Sequence, residues 1–184
     1  LLVGRGIYTA EQAQQYFNGT ELSDPLLIAD MDKAVQAIEA AVDNEIKITV
    51  YGDYDCDGVT STVMLFTHLD AIGADVNWYI PTREEGYGLN ENAIRKLHED
   101  GTGLIITVDN GVSAVNEAEL IYELGMKLVV TDHHQLPEIL PKAEAIVNPH
   151  RQDDNSPYKE LAGCGVALKL IMALERDVEG VLEQ

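Results

Sequence analysis

The chain has 184 residues, 32 acidic against 12 basic for a formal net charge of −20, and 46% of them are hydrophobic. That length and apolar share are ordinary for one globular α/β domain with a single good core, and no apolar run approaches a membrane span. Two isolated cysteines exclude a disulfide framework or a zinc cage, and the acidic excess excludes a simple basic nucleic-acid-binding face. The opening Leu1-Leu2-Val3-Gly4-Arg5 has no basic segment leading into a long apolar one, so no secretory signal is expected. It also lacks an initiator Met, as a piece of a longer protein would, and a reducing, cytoplasmic setting is the expectation.

In chain order, Thr9-Ala10-Glu11-Gln12 reads as a capping box opening a short helix that ends near Asn18-Gly19. Asp24-Pro25 marks a turn. From 30 to about 44, Met31, Ala34, Val35, Ile38, Ala41 and Val42 recur at helical spacing. Residues 1–45 are thus expected to be a helical lead-in packing on a sheet. The remainder alternates: strand 46–51, helix 60–72, strand 76–80, helix 90–99 capped by Asn90, strand 103–109, helix 113–124, strand 127–131, strand 145–147 and helix 166–175. Such βαβ alternation implies an α/β fold, a mostly parallel sheet with helices on both faces, in a single domain.

Polar clusters fall at three predicted strand ends. After the first strand come Asp53, Asp55 and Asp57 with Gly58; alternate side chains of an extended chain point the same way, so their carboxylates should converge. Unpaired, they would repel one another, and bound cations remove that cost. The alternative is a solvated acidic loop. An EF-hand is excluded, because its twelfth position is Met64 and a strand, not a helix, precedes it. The other two ends carry Asp109-Asn110-Gly111 and Asp132-His133-His134. Open parallel sheets place ligands at this edge. Mixed carboxylate and imidazole donors suit Mn²⁺ or Mg²⁺, with nitrogen favouring Mn²⁺, and paired ions suit phosphoryl chemistry.

Gly-Asp-Tyr-Asp-Cys-Asp-Gly at 52–58, Val-Asp-Asn-Gly at 108–111 and Thr-Asp-His-His at 131–134 resemble the first three motifs of the DHH phosphoesterases. Pro-Thr-Arg-Glu-Glu-Gly-Tyr-Gly-Leu at 81–89, Val-Asn-Pro-His at 147–150 and Gly-Cys-Gly-Val-Ala-Leu-Lys at 163–169 resemble the RecJ branch of that family, as do Arg5-Gly6-Ile7 and Asp24-Pro25-Leu26-Leu27. The resemblance implies a DHH catalytic domain over 46–184. It implies metal ligation by Asp53, Asp55, Asp57, Asp109 and His133, with Asp109 bridging two ions. His134 would face the scissile phosphate and Asp132 would hold the imidazole. Arg83 is expected to hold a substrate phosphate, or to be an ordinary exposed arginine. Asn110 and Gly111 are expected to shape the turn beside substrate. Gly163 and Gly165 would turn helix N-terminal amides toward phosphate, or merely permit close packing. Asn148 and His150 are weaker candidates, since Asn148-Pro149 can simply set a turn.

The implied function is metal-dependent 5′→3′ exonuclease action on single-stranded DNA in repair and recombination, by a monomer that meets replication or repair proteins and no membrane. Relatives acting on oligoribonucleotides, pAp or cyclic dinucleotides open with a His-x-Asn-Pro-Asp-like motif, where this chain has Tyr51-Gly52-Asp53-Tyr54-Asp55. A non-catalytic scaffold would have lost ligands, and a receiver domain would not need adjacent histidines. The family also carries a fourth metal-binding Asp beyond the helix at 166–175, and a DHHA1 domain. The 184 residues hold neither, so activity is expected of a parent protein rather than of this piece alone.

Overall fold

Five short runs rich in β-branched or aromatic residues assemble into a wholly parallel sheet in the computed structural model, which describes residues 1–19 and 22–176. Among these residues the strands are β1 (Ile48–Tyr51), β2 (Val76–Tyr79), β3 (Leu104–Val108), β4 (Lys127–Thr131) and β5 (Ala145–Val147). The helices are α1 (Ala10–Asn18), α2 (Met31–Asp43), α3 (Cys56–Ala71), α4 (Glu91–Glu99), α5 (Val115–Glu123) and α6 (Gly163–Arg176). The strand order is β2-β1-β3-β4-β5. The chain leaves β1 toward one edge and returns to build β3, β4 and β5 toward the other. The direction of winding therefore reverses between β1 and β3, and the crevice above such a switch point is where open α/β sheets bind ligands.

Helices cover both faces, as the alternation predicts. Ile38 of α2, Leu65 and Leu69 of α3, and Val166 and Leu170 of α6 pack with Val50, Ile106 and Val129 on one face. Ile94 and Leu97 of α4 and Ala118 and Ile121 of α5 pack with Ile105, Leu128 and Val130 on the other. Cover on both faces explains why every residue of β1 and β3 is buried, with no exposed alternate position. No helix among the described residues is long and apolar enough to cross a membrane.

Local signals fared well at the caps. Thr9 forms the full capping box with Gln12, and the Asn90 side chain accepts from the Ala93 N–H. The expected lead-in divides in two. The α2 helix buries Met31, Ala34, Val35, Ile38 and Ala41, whereas α1 buries no residue. Two part-buried polar ties pin the start of α2 to the loop after β5: Arg151 pairs with Asp30, and Asp154 accepts from the Ala29 N–H.

Candidate metal centre

The register sets the site. Tyr51 pairs with Thr107, and Val108 with Thr131. One step beyond Val108, the same rows bring Asp53, Asp109 and Asp132 side by side across three adjacent strand ends. The Asp109 N–H donates to the Thr131 carbonyl at 3.1 Å, which continues the ladder into the site. Asp109 has φ +63° and Gly111 φ +106°, so the chain turns away sharply once Asp109 is placed. Asn110 ties the two central ends together, its Nδ2 donating to the carbonyls of Val108 and Tyr51. Its Nδ2 is held in this way and builds the turn, while its buried Oδ1 has no hydrogen-bond partner.

The three aspartates after β1 do not lie on one extended strand, and that expectation is corrected. The α3 helix starts at Cys56, four residues before the expected 60, because Asp55 caps it by accepting from the Gly58 N–H at 2.9 Å. Asp57 falls in the first turn. Its Oδ2 accepts from the Gly163 N–H and its Oδ1 from the Cys164 N–H, both at 2.7 Å. The Gly163 and Cys164 amides at the start of α6 are therefore committed to Asp57. Gly163 serves close packing, since a Cβ there would sit 2.3 Å from Asp109 Oδ1. Gly165 abuts Leu161.

His133 Nε2 lies 3.1 Å from Asp109 Oδ1 and 3.7 Å from Asp57 Oδ2. Ligand atoms of Asp109, His133 and His134 all fall within 4.8 Å of one another. Asp132, 1% exposed, accepts at Oδ1 from the His133 and His134 backbone N–H groups and from His134 Nδ1 at 2.7 Å, and at Oδ2 from the Val112 N–H. It is an orienting group for His134. Asn148 donates to the His134 carbonyl and accepts from the His150 N–H, forming the expected turn. The His150 imidazole makes no polar contact with the histidine pair. Arg83 is exposed, its guanidinium carbon 5.2 Å from the centre of the Tyr54 ring.

Tyr87 was not singled out as a site residue, although the glycines on either side of it were visible. Its hydroxyl donates to the Asp109 carbonyl at 2.9 Å and lies 3.3 Å from His134 Nε2. With that proton on the carbonyl and Nδ1–H on Asp132, the Nε2 contact is favourable when Nε2 also carries a proton, that is, for the imidazolium. The hydrogen bond to Asp132 raises the His134 pKa accordingly.

The donor set fits a hard divalent cation. Both oxygens of Asp53 are buried with no hydrogen-bond partner, and Asp109 Oδ1 accepts no aligned hydrogen bond. Burial, and then the charges of Asp57 and Asp55, push the Asp109 carboxyl up to about 7, and burial also raises Asp53. Asp57 moves the other way despite its burial, because Cys164 and Gly163 donate to it. Orphaned carboxylates beside imidazole are the setting that Mn²⁺ or Mg²⁺ relieves.

A carboxyl whose pKa is higher folded than unfolded takes up a proton on folding, so stability falls as pH rises between the two values. His134 acts in the same direction, because its raised pKa contributes stability below about 6.5 that is lost as pH climbs through the folded value. We expect the metal-free domain to resist urea better at about pH 5.5 than at about pH 8, and Mn²⁺ added near pH 6.5 to release protons. Greater metal-free stability at the higher pH contradicts the assignment.

Residues 47–183 match the DHH family, N-terminal domain. The chain is 46% identical over 177 residues to the single-stranded-DNA-specific exonuclease RecJ of Bacillus subtilis (strain 168), a stretch covering 95% of this chain and 22% of that protein. It is 38% identical over 176 residues to RecJ of Escherichia coli (strain K12), covering 95% of this chain and 30% of that one. The fold superposes on a crystal structure of exonuclease RecJ bound to manganese with a TM-score of 0.78 and 34% identity, over 86% of this chain and 40% of that chain. The chain thus spans less than a third of either curated relative. With its five parallel strands and the motif residues gathered at their ends, the chain belongs to the DHH family, whose N-terminal domain it represents.

Proposed function

We propose that this domain is the metal-dependent phosphodiesterase centre of a RecJ-type exonuclease acting 5′→3′ on single-stranded DNA, with Mn²⁺ or Mg²⁺ as cofactor. One observation carries the reading: Asp109, His133 and His134 converge at the winding switch point, beside the orphaned carboxylate of Asp53. Asp53, Asp55, Asp57, Asp109 and His133 would hold the metal, Asp55 through the oxygen its helix cap leaves free and Asp57 through lone pairs that the two amides leave free. Bound metal supplies water activation and neutralises a phosphoryl oxygen. The protein's own part is to fix the His134 ring through Asp132, so that Nε2 faces the site and can donate to a substrate or leaving oxygen.

The acidic surface means that a sustained grip on a strand comes from elsewhere in the parent protein. Cys56 and Cys164 are free thiols, which suits the proposed cytoplasmic setting, and repair and recombination are the proposed roles. The reading is tested with the parent protein on single-stranded DNA labelled at the 5′ or the 3′ end. Nucleotide release from the 5′ end, lost with chelator and absent on duplex, supports it. Chelator-resistant cleavage, or a preference for short oligoribonucleotides, overturns it.

The two histidines should also separate. His133 Nε2 faces two carboxylates, whereas His134 Nδ1 is committed to Asp132. Calorimetric Mn²⁺ titration of this chain should show a larger loss of affinity for His133→Ala than for His134→Ala. Equal losses erase the division of roles.

A further inference from the structure

A cleft of about 310 Å³ opens beside His134, between the loop leading into α4 and the loop leading into α5. Its volume lies at the lower end of small-molecule sites, room for one nucleoside. Leu89 and Val112 give it buried apolar wall. Ser113 brings an exposed hydroxyl, and Glu117, in the first turn of α5, a half-buried carboxylate. No lysine or arginine lines it. A phosphate placed there would face the carboxylates of Glu117 and Asp132 with no cation but His134. A neutral ring with an apolar face and a hydrogen-bonding edge suits the same walls, because a carboxylate accepts from an exocyclic amino group.

The cleft is also rigidly linked to the chemistry. Asp132 Oδ2 accepts from the Val112 N–H of the cleft wall, while Oδ1 holds His134. Wall and imidazole therefore keep one spacing, as a subsite next to a reacting phosphate requires. We propose that this cleft is a nucleoside subsite, taking the sugar and base of one nucleotide that adjoins the scissile phosphate. The inference rests on the phosphodiesterase reading. It adds a source of strand selectivity within the domain itself, since a base must leave its pair and its stack to enter.

The test uses the parent protein with Mn²⁺ and single-stranded oligonucleotides carrying one abasic position, moved along the first three nucleotides. One placement should slow cleavage by about tenfold or more, the scale of losing one base's contacts. Ser113→Trp, which fills the cleft from an exposed position, should slow the normal strand to a similar degree. It should add nothing on that abasic strand, and it should leave Mn²⁺ affinity unchanged. A wild-type protein that cleaves every abasic strand at the normal rate overturns the subsite, whether or not Ser113→Trp folds, and so do additive losses. A wild-type protein that cleaves no DNA at all overturns the phosphodiesterase reading instead.

Discussion

Replacing Asp109 by Ala should abolish hydrolysis by the parent protein while the domain stays folded. Asp109 is 2% exposed, stands in the row between Asp53 and Asp132, and places Oδ1 3.1 Å from His133 Nε2. It is the carboxylate best placed to be shared between ions, so its loss removes the central ligand of the proposed centre. Retained activity within about tenfold, a loss of roughly 1.4 kcal/mol or less in transition-state stabilisation, sinks the assignment. Asp109→Asn gives a second check. Asn tolerates the φ of +63° and removes the carboxyl that burial and its acidic neighbours push up to about 7. The metal-free Asn variant should therefore be more stable than wild type at about pH 8 and should not gain stability from Mn²⁺. A variant destabilised at that pH and still stabilised by Mn²⁺ would show that the carboxyl is not held at a raised pKa.

Gly163→Ala should cost about a hundredfold or more in activity and lower Mn²⁺ affinity, although residue 163 carries no functional side chain. An added Cβ would lie 2.3 Å from Asp109 Oδ1 and 2.6 Å from its Cγ. The backbone at 163 cannot withdraw freely, because its N–H donates to Asp57 Oδ2 at 2.7 Å. Asp109 must therefore shift by about an ångström, a displacement that can cost some hundredfold in rate, and overpacking should destabilise the fold by about 1–3 kcal/mol. Gly165→Ala is the control. Its Cβ would meet Leu161 Cδ2 at 3.2 Å, the far end of a flexible side chain that can yield. Activity assays and Mn²⁺ titrations of both variants should rank Gly163→Ala far below Gly165→Ala. Similar behaviour would mean that the start of α6 does not position Asp109.

Features that depend on neighbours along the chain were legible in the sequence alone. Helical spacing placed α2, the Thr9 and Asn90 side chains predicted two caps, and apolar runs between turn residues located all five strands to within a residue or two at most ends. Because every parallel strand ends at the same edge, the motifs after β1, β3 and β4 could be expected to meet. Tertiary structure decided the rest. Whether Asp55 continued an extended chain or capped a helix turned on competition between two local conformations, and the cap prevailed with α3 packed against β1 and α6. No spacing rule announces that Asp57 will bind amides 106 and 107 residues later, or that Gly163 lies against Asp109. Nor does one show that Tyr87 reaches the Asp109 carbonyl and His134. Such contacts exist only after the order β2-β1-β3-β4-β5 has closed the loops between them. Burial follows from the same closure, and it is burial, more than the carboxylates themselves, that leaves Asp53 without a partner and makes this strand edge a place for a cation.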